Sequence, residues 1–303
     1  MTQPSGSAPD RSPPAFDRAA EDVGNIVEFG HVNVRVPDQR LAILFYVSGL
    51  GLTRDPYLVT GVDNAWINAG AAQFHLPVGP AQVLRGTTGL VLPDLDGLMA
   101  RLGAVAPRLA GTRFGFARDG DTVHVTCPWG NRLRVHAPDV QRFGRIRLGM
   151  PYVEIDVAAG TAARIGAFYE TVFAVPAAPG DAGGRPQVRV PTGLSGHLVF
   201  RETDAALPAY DGHHIQITVA DFSGVHRRLR ARGLVTEESN RSQYRFASIV
   251  DPASGAVLAE LEHEVRSMRH PMYARRLVNR DPAIGAGAFA AHHEALAWQL
   301  PPA

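Results

Sequence analysis

The sequence repeats itself, and this repetition limits the fold more than any other feature of the chain. Three landmarks of the first half recur in the same order in the second half, at separations of 121 to 127 residues. Such a duplication predicts two similar domains, which we place at 26–139 and 148–264. The matching pairs are HVNVRVPD (31–38) with YVEIDVAA (152–159), GLVLPDLDGLMARL (89–102) with QITVADFSGVHRRL (216–229), and CPWGNRLRV (127–135) with DPASGAVLAEL (251–261).

Each half also divides into two similar units. In the first half, an alternating strand pattern is followed by a helical stretch at 39–48 and two short strands, and the pattern restarts at 88–92. The second half shows the same succession. We therefore predict an α+β chain of four βαβββ modules. Predicted strands of the second half lie near 151–157, 186–190, 197–201, 213–219, 244–250 and 256–262.

Composition narrows the class of partner. The 303 residues include 45% hydrophobic residues, and the formal net charge is +1, so neither nucleic acid nor an anionic membrane is expected as a partner. A small molecule is the expected ligand. Cys127 is the only cysteine, which excludes an intrachain disulfide and fits the cytoplasm. Residues 1–25, rich in Pro, Ser and Gly and without an apolar run, are predicted to be a flexible tail.

Strand alternation predicts which side chains share a face. In HVNVRV the valines pack under helices, so the residues between them face the other way. By the same reasoning the first half presents a basic set, whereas the second half presents carboxylates with a histidine. Buried carboxylates close together are unfavourable unless a cation or a shared proton compensates, which favours a metal in the second half. The two sets are His31, Asn33, Arg35, Gln73, His75, Arg132, Arg134 and His136, and Tyr152, Glu154, Asp156, His214, Gln216, Thr218, Glu260 and Glu262.

Four segments resemble the vicinal oxygen chelate superfamily, which includes glyoxalase I, bleomycin and fosfomycin resistance proteins and the extradiol dioxygenases. The resemblance covers about 27–264 and is specific for fold rather than reaction. It implies two tandem cup-shaped mixed-sheet domains, with metal only in the C-terminal cup. The segments are GHVNVRVPDQRLAILFYVSGLGL, DNAWINAGAAQFHLP, HHIQITVADFSGVHRRL and the strand-turn-strands CPWGNRLRV and DPASGAVLAEL.

Carried onto this sequence, the family's metal-ligand positions fall at Tyr152, His214 and Glu260. Tyr152 departs from the pattern, so Glu154, on the same strand face, is the preferred third ligand. Glu262 is the alternative to Glu260, because the spacing from Gly255 is one residue longer than in the family. An oxygen-rich set of this kind suits Mn(II), Mg(II) or Zn(II), and the dioxygenase relatives imply Fe(II).

The N-terminal cup is the other place where a metal could lie. His31 occupies its opening-strand position and His75 lies on a neighbouring strand. However, the remaining family positions read Thr87 and Arg134, and arginine does not ligate metals. With its arginines, this cup is expected to bind an anion or to be purely structural.

Several residues are candidates for roles other than metal binding. His197 is a candidate acid or base and Tyr244 a candidate proton donor. Arg201, Gln216 and Tyr152 are candidates for binding substrate, although ordinary strand-face polarity also explains these residues.

Past the repeats, residues 265–303 form a C-terminal extension. Its start either covers a cup as a lid or contributes to a dimer contact, and 288–300 is predicted to form an amphipathic helix.

The sequence therefore predicts a metal-dependent enzyme that binds a small oxygenated substrate through vicinal oxygens. Its reaction is expected to be extradiol-dioxygenase-like or that of a glyoxalase-like lyase or isomerase, with Fe(II), Mn(II) or Zn(II). The alternative is a metal-free small-molecule binding or resistance protein of the same fold. Metal analysis of the purified protein distinguishes the two classes. A homodimer is compatible with either.

Overall fold

The computed structural model describes residues 16–58, 63–194 and 196–281. Most of the predicted N-terminal tail, 1–15, and the predicted terminal helix at 288–300 lie outside these residues. Within the described part of the tail, Arg18–Glu21 forms a 3-10 turn. The boundaries assigned to the tail, the two halves and the extension stay predictions.

Four copies of one unit follow one another along the chain, which confirms the predicted βαβββ modules. The first contains β1 Ile26–Asn33, α1 Gln39–Ile43, β2 Thr53–Arg54, β3 Asn64–Ala69 and β4 Ala72–Pro77. The second contains β5 Gly86–Val91, α2 Leu95–Val105, β6 Gly115–Asp119, β7 Thr122–Thr126 and β8 Arg132–His136, followed by the short α3 Val140–Phe143. The third contains β9 Tyr152–Ala158, α4 Ala162–Phe168, β10 Ala178–Asp181, β11 Pro186–Pro191 and β12 His197–Thr203. The fourth contains β13 His214–Val219, α5 Phe222–Arg230, β14 Val235–Asn240, β15 Gln243–Val250 and β16 Val257–Ser267.

Aspartate side chains fix where helices begin. Asp38 accepts hydrogen bonds from the backbone N–H groups of Arg40 and Leu41 ahead of α1, and Asp221 accepts one from Gly224 ahead of α5. These bonds satisfy N–H groups that have no partner inside the helix. Each opening strand is thus followed closely by a helix that packs against one face of its sheet.

The strands form two eight-stranded sheets, and each sheet combines strands from both halves of the sequence. The first sheet has the order β14-β15-β16-β13-β1-β4-β3-β2, and the second has the order β10-β11-β12-β9-β5-β8-β7-β6. The expectation that each half closes its own cup is therefore wrong. The first module pairs with the fourth through β1 and β13, and the second pairs with the third through β5 and β9.

This pairing has a physical reason that repetition alone does not reveal. Four similar opening strands offer equivalent edges, so the repeat does not specify which two of them share hydrogen bonds. A bridge between Val91 and Gly149 ties the segment that connects the second and third modules to the end of β5, the strand on which β9 pairs. The first and fourth modules are then left to pair with each other.

The four strands that the sequence interpretation missed, β2, β6, β10 and β14, all lie at sheet edges. They carry little buried surface; every residue of β10, for example, is exposed. An edge strand of this kind lacks the apolar alternation by which strands are recognised. The inner strands, which bury one face under the helices, were all predicted.

His263 lies in the core under the first sheet and makes the stability of the protein depend on pH. The Tyr169 hydroxyl donates to its Nε2 over 2.7 Å, its Nδ1 donates to the Leu261 carbonyl over 2.7 Å, and its ring stacks on Phe246. Burial lowers the pKa of His263 to about 3. The unfolded chain takes up this proton near pH 6.5, so the stabilisation is complete above about pH 6.5 and is lost as pH falls toward about 3.

We expect His263→Phe to flatten this pH dependence. Between pH 6 and pH 4 the free energy of unfolding of the wild type should fall more steeply, by up to about 1.4 kcal/mol per pH unit, than that of the variant. Urea unfolding at several pH values measures the two slopes, with His124→Phe, at an exposed position, as the control. Equal slopes in His263→Phe and the wild type would contradict the assignment.

Candidate metal centre

Three histidines converge on one face of the first sheet. His31 comes from β1, His75 from β4 and His214 from β13, and one ligand atom of each lies within 4.8 Å of the others. Within the described ranges this is the one group of three or more metal-ligating side chains at such distances. His31 and His214 are buried and His75 is nearly so. We call this face the histidine cup.

A bulge in β1 directs His31 into the cup. Phe29 lies opposite Ile217, whereas His31 lies opposite Gln216, so the register shifts by one residue at Gly30. Without the shift, Phe29 and His31 would share a face; with it, Phe29 joins the core and His31 faces the cup. A Cβ at Gly30 would lie 1.6 Å from Gln216 Oε1, which explains the glycine at this position.

The strand register also identifies a fourth candidate ligand. His31 lies opposite Gln216 and Asn33 lies opposite His214, so the two modules are related by a local twofold. Asn33 is adjacent to His75 on β4, and Gln216 is adjacent to Glu264 on β16. His31 and His214 therefore occupy equivalent positions, and so do His75 and Glu264.

Neighbouring side chains hold the imidazole rings in place. The His75 ring stacks on Trp66, with centroids 3.8 Å apart, and the side-chain amide of Asn33 lies 2.6 Å from its Nδ1. The edge of His31 packs against Trp66 with centroids 5.1 Å apart. Rings held in this way are already oriented for a shared ligand.

The histidines are neutral at physiological pH. Burial, reinforced by positive neighbours, lowers the pKa of His75 to about 3 and that of His214 to about 2, and burial holds the pKa of His31 well below its usual value. The neutral imidazole is the form that binds metal. The Nε2 atoms of all three histidines are buried and have no hydrogen-bond partner within the described part of the chain. Unpaired buried polar atoms are costly, so three together point to a shared partner such as a cation.

Glu264 lies beside His214 on the β16 side. It is 3% exposed, and its Oε2 lies 3.7 Å from His214 Nε2. Arg245 and Arg266 each hold its carboxylate at 2.6 Å. Glu262, one pleat earlier, lies 3.4 Å from His214 Nδ1 and also contacts Arg245 at 2.5 Å.

Of the residues proposed from sequence, the first sheet contains His214, Gln216, Glu260 and Tyr244. Gln216 is buried beside the histidines, and its Nε2 donates to Thr218 Oγ1 over 3.1 Å. Glu260 is exposed and lies four residues before Glu264 on β16, which separates the two by about 13 Å along the strand. Glu264, rather than Glu260, is the carboxylate that lies next to His214.

Glu154, Tyr152, Arg201 and His197 belong to the second sheet, so the structure does not bring them together with His214. The expected hollow shared by Glu154, His214 and Glu260 is not formed, because β9 pairs with β5 rather than with β13. Glu154 instead makes an ion pair with Arg201 at 3.0 Å. The Tyr152 hydroxyl lies 2.8 Å from His136 Nε2.

Tyr244 lies on the core side of the first sheet. Its ring packs against Phe222 and His226 under α5, and the residue is 1% exposed. Burial raises the pKa of its hydroxyl well above the usual value. Its neighbour Arg245 faces the cup, so strand alternation turns Tyr244 away from it.

Two signals in the sequence would have led to this site. His31 and His75 were noted, but they were grouped with Thr87 and Arg134, which belong to the other sheet. Glu264 lay beyond the predicted end of the last strand at 262, whereas β16 runs to Ser267. The alternation of Glu260, Glu262 and Glu264 with apolar or core residues continues to that point and predicts the longer strand.

The chain after β16 crosses the histidine cup and attaches to the edge strands of the first module. The Asn68 side chain donates to the Val278 carbonyl over 2.8 Å, and the Asn279 side chain bonds to the backbone of Gly70 in both directions. Met272, Arg275 and Leu277 line a small cavity together with His31, Gln73 and Gln216. We call residues 268–281 the strap. The strap is the part of the C-terminal extension that lies over the histidine cup, where a lid was one of the two expected arrangements.

The two-sheet arrangement of paired βαβββ modules is the vicinal oxygen chelate fold. Among solved structures that share it, a "putative dioxygenase" from Bacillus subtilis subsp. subtilis str. 168 gives a TM-score of 0.55 at 12% identity, covering 82% of this chain and 87% of that one. Glyoxalase I from Zea mays gives a TM-score of 0.53 at 14% identity, covering 79% of this chain and 92% of that one. No family model and no curated protein sequence matches this chain. At these identities the likeness establishes the fold.

The described helices include none that is both long enough and apolar enough to cross a bilayer.

Proposed function

We propose that this protein is a divalent-metal-dependent enzyme acting on a small oxygenated substrate in the histidine cup. The observation that carries the proposal is the convergence of three neutral histidines whose buried Nε2 atoms have no partner among the described residues, with a buried carboxylate beside them. The fold, shared with glyoxalase I and a dioxygenase-named protein, supports a dioxygenase-like or a lyase- or isomerase-like reaction. A small-molecule substrate, the cytoplasm and a homodimer stay predictions.

The donor set fits such an ion. His31, His75 and His214 would supply three nitrogens and Glu264 one oxygen, in place of the oxygen-rich set expected from the sequence. Imidazole with a carboxylate suits Fe(II) and Zn(II), and Mn(II) is compatible. A bound ion would act as a Lewis acid on the vicinal oxygens of a substrate.

The protein's own groups bind the substrate and limit access of water. Met272 and Leu277 of the strap shield one side of the cup. Glu262 is partly exposed, with 27% of its side chain accessible, and it contacts His214, so it is the group placed to accept a proton from a bound substrate. We propose it as the base in place of His197, the acid or base suggested by the sequence. Arg245 holds Glu262 and Glu264 together and orients both carboxylates.

The test is metal loading followed by turnover. Chelator-treated protein is loaded separately with Fe(II), Mn(II) and Zn(II), and we expect one ion per chain. Oxygen uptake with a catechol panel identifies dioxygenase chemistry, whereas conversion of α-hydroxyketone or hemithioacetal substrates without oxygen identifies lyase or isomerase chemistry. Glu262→Gln should lower kcat by about 100-fold or more while metal stays bound. A protein that takes up none of the three ions would instead be the metal-free binding protein.

A further inference from the structure

The second sheet has its own cup, lined by arginines rather than histidines. Arg132 and Arg134 come from β8 and Arg201 comes from β12, and with Thr87, His124 and Thr126 they border an open cavity of about 400 Å³. We call this face the arginine cup. Two of these arginines, Arg132 and Arg134, belong to the set that the sequence predicted to form an anion-binding or purely structural cup.

The arginine cup is built on the same scaffold as the histidine cup. Thr87 lies opposite Glu154, as His31 lies opposite Gln216. Gly89 is adjacent to Arg134 on β8, and Glu154 is adjacent to Val199 on β12. The positions held by His31, His75, His214 and Glu264 in one cup are therefore held by Thr87, Arg134, Tyr152 and Val199 in the other. This set does not suit a metal cation.

The charges in the cup favour an anion. Arg201 pairs with Glu154 at 3.0 Å and with Asp156 at 2.9 Å, and Arg132 pairs with Asp156 at 2.7 Å. Arg134 lies 3.8 Å from Glu154 and bonds to the Tyr152 side chain, and 30% of its own side chain is exposed. Three guanidinium groups thus face two carboxylates. In addition, the Arg201 Nε and the Glu154 Oε1 are buried and have no hydrogen-bond partner among the described residues, which leaves a donor and an acceptor unsatisfied.

We propose that the arginine cup binds a small molecule through a carboxylate or phosphate group, held by Arg134 and Arg201. Guanidinium groups recognise such oxyanions through paired, charge-assisted hydrogen bonds. The excess positive charge and the buried Nε donor would both be satisfied by the ligand. The site is separate from the histidine cup and needs no metal.

Calorimetric titration of the full-length, chelator-treated protein tests this proposal. The probes are inorganic phosphate and malonate, each at constant ionic strength against sodium chloride. We expect saturable binding of at least one probe, weakened tenfold or more in Arg134→Met and unchanged in Arg230→Met, an exposed arginine on α5. Binding of phosphate alone or of malonate alone identifies which oxyanion the ligand carries.

A second variant keeps the proposal testable if Arg134→Met does not fold. Thr87→Asp adds a carboxylate to the same cup without removing an arginine, and it should weaken binding by a similar factor. Equal affinity in the wild type and both variants, or the absence of saturable binding for both probes, would overturn the proposal. Because chelator-treated protein is used, these outcomes are independent of whether the histidine cup binds metal.

Discussion

Replacing His75 by alanine is expected to lower the affinity for the divalent ion by at least about 100-fold, because the change removes one of four donors from a preorganised set. The His75 ring is held by Trp66 and Asn33, so no neighbouring side chain can take its place without moving. His31→Ala and Glu264→Gln should have effects of the same order. Titration of the chelator-treated protein with Zn(II) or Mn(II), in competition with a chromogenic chelator, measures the affinities.

Two variants serve as controls for the loss of affinity. Glu260→Ala removes the exposed carboxylate that the sequence first proposed as a ligand, and His197→Ala removes a histidine of the second sheet. Both should bind metal as the wild type does. An affinity that falls in Glu260→Ala and stays unchanged in His75→Ala would place the metal elsewhere.

The second large effect, on the free energy of unfolding, is expected where Arg275 of the strap pairs with Asp55. Asp55 is 1% exposed and pairs with Arg275, while Gln73 Nε2 and the backbone N–H groups of Tyr57 and Leu58 donate to the same carboxylate. Arg275→Met leaves this charge buried without its cation. We therefore expect the free energy of unfolding at pH 7 to fall by about 3 kcal/mol, as when other buried ion pairs lose one partner. Urea unfolding of the metal-free protein measures the change.

The same ion pair predicts how the loss depends on pH. Burial alone would raise the pKa of Asp55, but the hydrogen bonds from Arg275 and from the backbone lower it below its usual value. A lowered pKa in the folded state contributes stability above about pH 4, and this contribution is lost as pH falls through the folded pKa. The difference in the free energy of unfolding between the wild type and Arg275→Met should thus become smaller below pH 4. Arg276→Met, at the exposed neighbouring position, is the matched control, and an equal loss there would contradict a specific ion pair.

The modules could be predicted from the sequence because they depend on local patterns. The spacing of HVNVRV and YVEIDV and the Phe-Tyr stretches that follow encode a buried strand and a helix. Sheet partners could not be predicted in this way, because β1 and β9 present similar edges to β13. The choice is made by tertiary packing, so the assumption that the two modules of each half pair with each other misplaced Glu154.

The part of the candidate site that depends on local strand alternation could also be predicted from the sequence. His214 was identified correctly as a residue facing a cup, since the alternation of HIQITV fixes its face. The alternation of HVNVRV likewise gives the face of His31, whereas the bulge at Gly30, which lets Phe29 join the core, could not be predicted. Glu264 could be recognised only if the true end of β16 was known. These features depend on contacts between distant segments, which no window of sequence contains.

Anomalous diffraction from crystals of the metal-loaded protein, recorded at the absorption edge of the bound metal, tests the central claim most directly. We predict one peak per chain, at about 2.0–2.2 Å from the Nε2 atoms of His31, His75 and His214 and from a carboxylate oxygen of Glu264. A peak in the arginine cup or at Glu260, or no peak within bonding distance of the three histidines, would contradict the account.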